Sequence, residues 1–264
     1  EQLSEVFVHT QQSLMESSFT PSAFELDLRK THPVELPFGD GKRLSFGGII
    51  DRVDTCESGG RKYIRIIDYK SSRRTIDPKT LAGGINLQML IYLFAATDKG
   101  GLYEGYDPAG VLYTPIAYSE VTAGASKDPS GGNAASELKA SGLVLSDEEV
   151  VQLMESGVKG RYIPVKLTKS SLPDQYSSVI SEEGLGRLKD YVYRELTGMA
   201  EALLEGKVPA SPLKSGSGTP CTFYDFGDIC GIPEPKDPRL PDADKLAEAS
   251  EILKMKDYKR KEDN

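Results

Sequence analysis

The sequence predicts an α/β (α+β) fold: one domain with a mixed central sheet, built around an antiparallel hairpin and flanked by helices. Three observations predict it. An amphipathic run opens the chain, two β-type runs joined by a short Gly-containing turn follow, and later apolar segments alternate between strand and helix spacing. The order helix, antiparallel strands, helix, strand, helices fits a single domain within 264 residues.

The first part of the chain carries the runs that define the sheet. Residues 2–18 have the spacing of an amphipathic helix, and the alternating run AFELDLRK (23–30) predicts a strand. The runs KRLSFGGIIDRVDT (42–55) and RKYIRIIDYKSS (61–72), joined by CESGG, predict two strands paired as a hairpin.

The middle of the chain alternates helix and strand signals. A helix is predicted from near Asn86 to the glycines at 100–101, and AGVLYTPIAY (109–118) predicts a buried strand. The small, polar stretch TAGASKDPSGGNAASE (122–137) is typical of a flexible loop. SDEEVVQLMES (146–156) combines an N-cap with acids in the first turn, which indicates the start of a helix.

The C-terminal part is predicted to be helical, with one extended interruption. A long helix is expected over 182–204, with Leu185, Leu188, Val192, Leu196 and Leu203 on its apolar side. The Pro-rich stretch GIPEPKDPRLPDAD predicts an extended segment, and a charged helix or tail is expected from Asp244 onward. The predicted division is one domain over 1–232, then the Pro-rich segment and charged helix or tail over 233–264.

Composition narrows the class of protein. A net charge of −8 argues against a protein that coats nucleic acid by bulk electrostatics, and no apolar run approaches the roughly 20 residues of a membrane helix. Three cysteines favour a reducing compartment, hence the cytoplasm, and two histidines leave little material for a zinc site. The chain shows no signal peptide and lacks an initiator Met, which indicates a piece of a longer chain.

The hairpin carries the candidate chemistry. Asp68 and Lys70 lie two residues apart at the end of a strand, so their side chains point to the same face. If ESGG forms a four-residue turn, Cys56 pairs with Arg61, and Asp51 lies one diagonal step from Asp68 on that face. A bulge would change this register.

Two neighbouring carboxylates repel each other unless a cation lies between them. Mg²⁺ suits such a pair because it takes one or two carboxylates, keeps several waters and accepts phosphate oxygens. A lysine beside the metal could stabilise charge that develops on a phosphate or help to position the attacking water. The alternative is a surface salt bridge between Asp68 and Lys70 on an edge strand.

Taken together, GGIIDRVD, RIIDYKSS and NLQMLIYLFAA resemble the PD-(D/E)XK nucleases, specifically the RecB-like nuclease domain. The resemblance implies that Asp51, Asp68 and the Tyr69 carbonyl hold Mg²⁺ or Mn²⁺ and that Lys70 is the catalytic base-type residue. It also implies that Gln88 and Tyr92, which are four apart and share one helix face, form the substrate-binding helical motif beside the site.

The segments FTPSAFELDL and LLEGKVPASPLKSGSGTPCTFYDFGDIC are similar to the AddB-type subunits of bacterial helicase–nuclease complexes. This similarity offers Glu25 as a supporting acid, although a solvated strand glutamate is the alternative. In that family four cysteines hold an iron–sulfur cluster. Here Cys221 and Cys230 match the first and last C-terminal positions, but Tyr224 replaces a ligand cysteine, so no intact cluster is expected.

The cysteine and histidine assignments have plainer alternatives. Cys56 is assigned to the hairpin turn, and Cys221 and Cys230 would otherwise be buried small apolar residues or a disulfide formed in air. His9 is assigned to an exposed helix face.

The resemblance implies a metal-dependent DNA (exo)nuclease that acts on single strands fed by a helicase in double-strand-break processing and recombinational repair. Arg52, Arg73 and Arg74 lie near enough in sequence to contact the DNA backbone, although such arginines are often solvated. One alternative is a catalytically inactive DNA-binding or scaffolding module of a helicase–nuclease complex. Another, a sugar- or nucleotide-processing Mg²⁺ enzyme, is disfavoured because the chain lacks a G-x-x-x-x-G-K phosphate loop.

Overall fold

The structure is a computed structural model, and it describes residues 2–31, 34–38, 42–117, 136–209, 211–214, 219, 221 and 239–260. The helices are α1 (Gln2–Met15), α2 (Leu28–Thr31), α3 (Pro78–Ala82), α4 (Gln88–Thr97), α5 (Glu148–Met154), α6 (Glu182–Leu204) and α7 (Ala243–Ile252). The strands are β1 (Thr20–Asp27), β2 (Val34–Phe38), β3 (Lys42–Phe46), β4 (Ile49–Ser58), β5 (Arg61–Lys70), β6 (Asp107–Pro115), β7 (Ser141–Leu145) and β8 (Val179–Ile180).

Six of the strands form one mixed sheet in the order β1-β4-β5-β6-β7-β8, and β2 pairs with β3 separately. The β4–β5 and β1–β4 pairs are antiparallel, whereas β5 and β6 are parallel and are connected through α3 and α4. This arrangement confirms the predicted mixed sheet flanked by helices. It also makes β5 an interior strand, which explains why its apolar residues are buried on both faces.

The hairpin between β4 and β5 forms as predicted, but its turn is shorter. Ser58 pairs with Arg61, so the turn consists of Gly59 and Gly60 alone, and both have positive φ values of 55° and 78°. Two consecutive residues with positive φ are the requirement of a type I′ turn, which glycine meets without steric strain. The predicted four-residue ESGG turn, and the register derived from it, were therefore wrong by two residues.

The β1–β4–β5 part of the sheet has helices packed around it. Helix α4 packs on β5 and β6, and α6 packs on α4 through an edge-on contact between the Phe94 and Tyr193 rings. The opposite sheet face meets α1, because α1 residues line a small cavity with Arg52 and Ile67. A cluster of buried apolar side chains from the strands, α4 and α6 forms the core.

Several boundaries and residues differ from the prediction. The first predicted strand begins earlier, at Thr20, and ends at Asp27, where α2 follows. Helix α6 has the predicted bounds, and Ser181 caps its first turn by accepting a hydrogen bond from the Gly184 N–H. Leu203, however, is 65% exposed and lies off the buried side of α6. Strands β2, β7 and β8 were not predicted. The run 42–55, predicted as one strand of the hairpin, forms two strands, β3 and β4, which belong to different sheets.

Most of the polar loop predicted over 122–137, and much of the Pro-rich segment, lie outside the described residues. The C-terminal helix is present as α7, and it packs on α3 and α6. Among the described helices, none combines the length and the apolar character that crossing a membrane requires.

Candidate active site

The register of the hairpin brings two carboxylates level with each other. The β4–β5 pairing ends with Arg52 opposite Ile67, and continuing this register by one step places Asp51 opposite Asp68 instead of on the predicted diagonal. The Asp51 Oδ2 atom also accepts a hydrogen bond of 2.9 Å from the Tyr69 backbone N–H, which fixes this carboxylate against β5.

Lys70 contacts the second of these carboxylates. Its Nζ atom lies 2.7 Å from Asp68 Oδ2, and its side chain is 36% exposed whereas that of Asp68 is 8% exposed. The same Oδ2 atom is buried and accepts no hydrogen bond of good geometry, so its contact with Lys70 is electrostatic without being a well-directed hydrogen bond. The alternative of a salt bridge on an edge strand was wrong about the location, because β5 lies between β4 and β6.

The carboxylate pair fits a hard divalent cation. A buried carboxylate oxygen without a directed donor is costly, and a cation held by Asp51 and Asp68 would relieve that cost. In the part of the chain that the structure describes, no group of three His, Cys, Asp or Glu side chains comes together. A cation here would therefore take its remaining ligands from backbone carbonyls, water or substrate, which is typical of Mg²⁺.

The helical motif lies beside the start of β4. The Gln88 side-chain amide donates a hydrogen bond of 2.9 Å to the Tyr92 hydroxyl, one helical turn further on. Gln88 is exposed and Tyr92 is buried. A Cβ atom added at Gly48 would lie 2.1 Å from the Tyr92 hydroxyl, so only glycine admits this approach. The helix that carries Gln88 and Tyr92 therefore contacts the chain at Gly48, three residues before Asp51.

Arg52 does not belong to the site, which corrects its assignment to DNA binding. Its guanidinium is buried and donates two hydrogen bonds of 2.6 Å to Asp54 and a third, of 3.2 Å, to the Tyr69 hydroxyl. Arg65 also donates to Asp54 Oδ2, at 2.8 and 3.0 Å. These contacts commit Arg52 to a buried ion cluster on the sheet face opposite Asp51. Arg73, by contrast, is exposed.

Glu25 lies on the strand next to β4 and is close in register to Asp51. Phe24 pairs with Arg52 and Leu26 with Ile50, so Glu25 falls level with Asp51 on the neighbouring strand. Its φ of 46° lies in the left-handed region, which interrupts the regular alternation of side chains at this point. Its exposed carboxylate does not join Asp51 and Asp68 in a cluster of three ligands.

Tyr113 is a neighbour of the site that sequence reasoning missed. It pairs with Asp68 across the parallel β5–β6 register and is buried, so the two side chains share a face. Burial, with a contribution from the Asp68 charge, raises the pKa of Tyr113 to about 12. The signal in the sequence was the polar hydroxyl within the apolar run VLYTP, but only the parallel register relates it to Asp68.

The cysteine and histidine assignments also change. Cys56 is buried within β4, opposite Tyr63, and not in the turn. Cys221 is exposed, which contradicts the alternative that it is a buried small apolar residue, while Tyr224 and Cys230 lie outside the described residues. His9 is half-buried against the Tyr162 ring, with ring centroids 5.1 Å apart, and not on an exposed helix face.

The mixed sheet, with two aspartates and a lysine at its β4–β5 end and a Gln–Tyr helix beside them, agrees with the resemblance to the PD-(D/E)XK nucleases. A family model of the PD-(D/E)XK nuclease superfamily matches residues 2–231, and the chain belongs to that superfamily. The chain is also 33% identical over 235 residues to the B subunit of the ATP-dependent helicase/deoxyribonuclease of Moorella thermoacetica, covering 84% of this chain and 20% of that protein.

Proteins with the same name from two other bacteria give similar values. The identity is 33% over 231 residues for Clostridioides difficile and 34% over 229 residues for Anoxybacillus flavithermus, each covering 83% of this chain and 20% of the relative. The chain therefore spans about a fifth of the length of the curated relatives it matches.

Proposed function

We propose that this chain contains a metal-dependent DNA nuclease domain, predicted to span residues 1–232, that hydrolyses phosphodiester bonds. The observation that supports it most is the position of Asp51 and Asp68 at the same end of two neighbouring strands. The buried Asp68 Oδ2 atom accepts no well-directed hydrogen bond and lies beside the Lys70 ammonium. A purely structural ion pair would not need a second carboxylate held beside it, because two carboxylates raise each other's electrostatic energy.

In this proposal, metal binding and charge stabilisation are carried out by different residues of the site. Asp51, Asp68 and the Tyr69 carbonyl would hold Mg²⁺ or Mn²⁺, which when bound supplies Lewis-acid polarisation of the phosphate and an acidified water. Lys70, whose ammonium is partly exposed, would stabilise charge on the phosphate and orient the attacking water as the base-type residue.

Substrate contacts would come from the edges of the site. Gln88, exposed and oriented by its hydrogen bond to Tyr92, would contact the strand beside the scissile bond. Arg73, which is exposed three residues beyond Lys70, would contact the backbone phosphates. Glu25, level with Asp51 on β1, would act as a supporting acid.

The names of the relatives suggest the context. They join a helicase and a deoxyribonuclease in one ATP-dependent enzyme, so this domain would receive single-stranded DNA from a helicase subunit or from a helicase domain of the same chain. Degradation from an end, in double-strand-break processing and recombinational repair in the cytoplasm, follows as the proposed role. The chain's net charge of −8 suits a domain that is fed by a partner and does not capture DNA alone.

The test is cleavage of end-labelled single-stranded DNA with Mg²⁺ or Mn²⁺ by the unmutated chain, Asp68→Asn and Lys70→Ala. We expect each variant to lose at least about 100-fold in rate, the scale of removing one acid–base or charge-stabilising group. The matched control is Glu57→Gln with Lys62→Ala, because these residues form a 3.4 Å ion pair at the other end of the same hairpin.

Metal binding by calorimetry completes the experiment. The unmutated chain should bind Mn²⁺, and Asp68→Asn should bind it more weakly because one anionic ligand is gone. If the unmutated chain neither binds metal nor cleaves DNA, the inactive DNA-binding or scaffolding module is the better description. Cleavage that survives in both site variants would refute the proposed site.

A further inference from the structure

A cleft opens where strand β5 ends. It has a volume of about 690 Å³ and is formed by the segment after Lys70, by α3, and by residues 213–214 and 240–246 from the C-terminal part of the chain. That volume lies within the roughly 300–1,000 Å³ of small-molecule sites. The cleft is large enough for a nucleotide unit and is too large for a single ion.

The polar side of the cleft is cationic. Arg73, Arg74, Lys79 and Lys214 line it, all four are exposed, and none forms an ion pair with a carboxylate of the described residues. Asp77 also lines it, but its carboxylate accepts hydrogen bonds from the Lys79 and Thr80 N–H groups. Four cations close together, without an ion pair among the described residues, in a chain of net charge −8 indicate an anionic ligand.

The other side of the cleft is apolar. Leu240, Pro241 and Leu246 of the C-terminal segment line it together with Ile85, and Leu240 remains 66% exposed. Inorganic phosphate would gain nothing from such a wall. A nucleotide would, because its base and sugar offer apolar surface while its phosphates face the cations.

The cleft adjoins the carboxylate pair. Arg73 is three residues beyond Lys70, so the chain between them spans at most about 10 Å. The Ser141 hydroxyl donates a hydrogen bond of 2.6 Å to the Arg74 carbonyl oxygen, which ties this segment to the start of β7. The Arg74 charge also acts on Tyr113, the β6 neighbour of Asp68.

We propose that this cleft is a subsite for single-stranded DNA, which binds the nucleotides next to the scissile phosphodiester by phosphate contacts and apolar base contacts. The proposal rests on the proposed nuclease function and adds Arg74, Lys79, Lys214 and the Leu240 wall to the substrate-binding surface. It gives the strand one path, leading from the end of β5 towards the C-terminal segment.

The test is binding of a fluorescein-labelled oligothymidylate in EDTA, followed by fluorescence anisotropy over a range of salt concentrations. The triple variant Arg73→Ala/Lys79→Ala/Lys214→Ala should bind at least about 10-fold more weakly at low salt. Its plot of log K against log salt should be shallower by about 2, because each lost phosphate contact removes about 0.7 for single strands. Unchanged affinity and slope would overturn the proposal.

The matched control removes the same number and kind of charges elsewhere. Lys62→Ala/Lys99→Ala/Arg187→Ala takes one arginine and two lysines from exposed positions that do not line the cleft. Its affinity and slope should equal those of the unmutated chain. An equal loss in the control and the cleft variant would mean bulk electrostatics and would also overturn the proposal.

An abasic oligonucleotide of equal length tests the apolar wall. The unmutated chain should prefer oligothymidylate, and Leu240→Ser should reduce that preference while leaving the salt slope unchanged. Equal binding of the two oligonucleotides by the unmutated chain would show a phosphate-only surface and refute a nucleotide subsite. Binding is measured in EDTA and therefore tests the cleft without any cleavage. The metal-dependent cleavage assay tests the nuclease proposal separately, so the two proposals can fail independently.

Discussion

A single methyl group at Gly48 should push the helix that carries Gln88 and Tyr92 away from the strand that carries Asp51. A Cβ atom there would lie 2.1 Å from the Tyr92 hydroxyl and 2.8 Å from its ring Cζ. Ordinary contact begins at 3.4 Å, so the buried ring would have to move by more than 1 Å. Overpacking of this kind costs about 1–3 kcal/mol, so Gly48→Ala should lower the free energy of unfolding by that amount.

The neighbouring glycine provides the control. A Cβ atom at Gly47 would meet Arg29 Cγ at 2.2 Å, an equally close contact, but that side chain is flexible and 61% exposed. Arg29 can rotate towards solvent by giving up its two hydrogen bonds to Asp27, whereas the Tyr92 ring is buried, so Gly47→Ala should cost less than Gly48→Ala. Urea unfolding gives the free energy of unfolding of both variants, provided that the m-value is the same for each.

A double-mutant cycle identifies the cause. Tyr92→Phe removes the hydroxyl that makes the closest contact, so Gly48→Ala should cost less in that background, with a coupling energy of about 0.5–3 kcal/mol. The Gly48→Ala variant should also cleave DNA more slowly if Gln88 is oriented by Tyr92. A Gly48→Ala penalty that matches that of Gly47→Ala, or that is unchanged in the Tyr92→Phe background, would refute the reasoning.

Two further predictions concern the sheet face opposite the aspartate pair. Asp54→Ala should cost about 3–5 kcal/mol in urea unfolding, because it leaves the buried guanidinium groups of Arg52 and Arg65 without their shared carboxylate; a loss below about 1 kcal/mol would contradict this. Burial, aided by the Arg161 charge, lowers the pKa of His9 below its usual 6.5, so its contribution to stability is present above that pH and is lost as the pH falls towards the lowered pKa. The His9→Gln variant should therefore lose less stability than the unmutated chain when the pH falls from about 7.5 to 5.5. Equal losses would contradict a lowered pKa of His9.

The local sequence determined those features that depend on neighbours along the chain. The hairpin, helix α4 and the bounds of α6 follow from side-chain periodicity and from a serine cap, both of which act within a few residues. The predicted register was wrong by two residues, yet Asp51 and Asp68 still share one face, because a shift of two preserves the alternation of a strand. The Asp-x-Lys spacing was readable for the same reason.

Tertiary structure alone decided which distant segments meet. Arg52 follows Asp51 in the chain, but burial beside Asp54 and Arg65 removes it from the DNA-facing surface. Tyr113 reaches Asp68 only through the parallel pairing of β5 with β6.

The cationic cleft has the same origin, because Lys214 and Leu240 lie some 140 residues or more beyond Arg73 and reach it only when α7 packs on α3. Such contacts depend on which apolar surfaces bury each other across the whole chain. The spacing of residues within any one segment does not encode that choice.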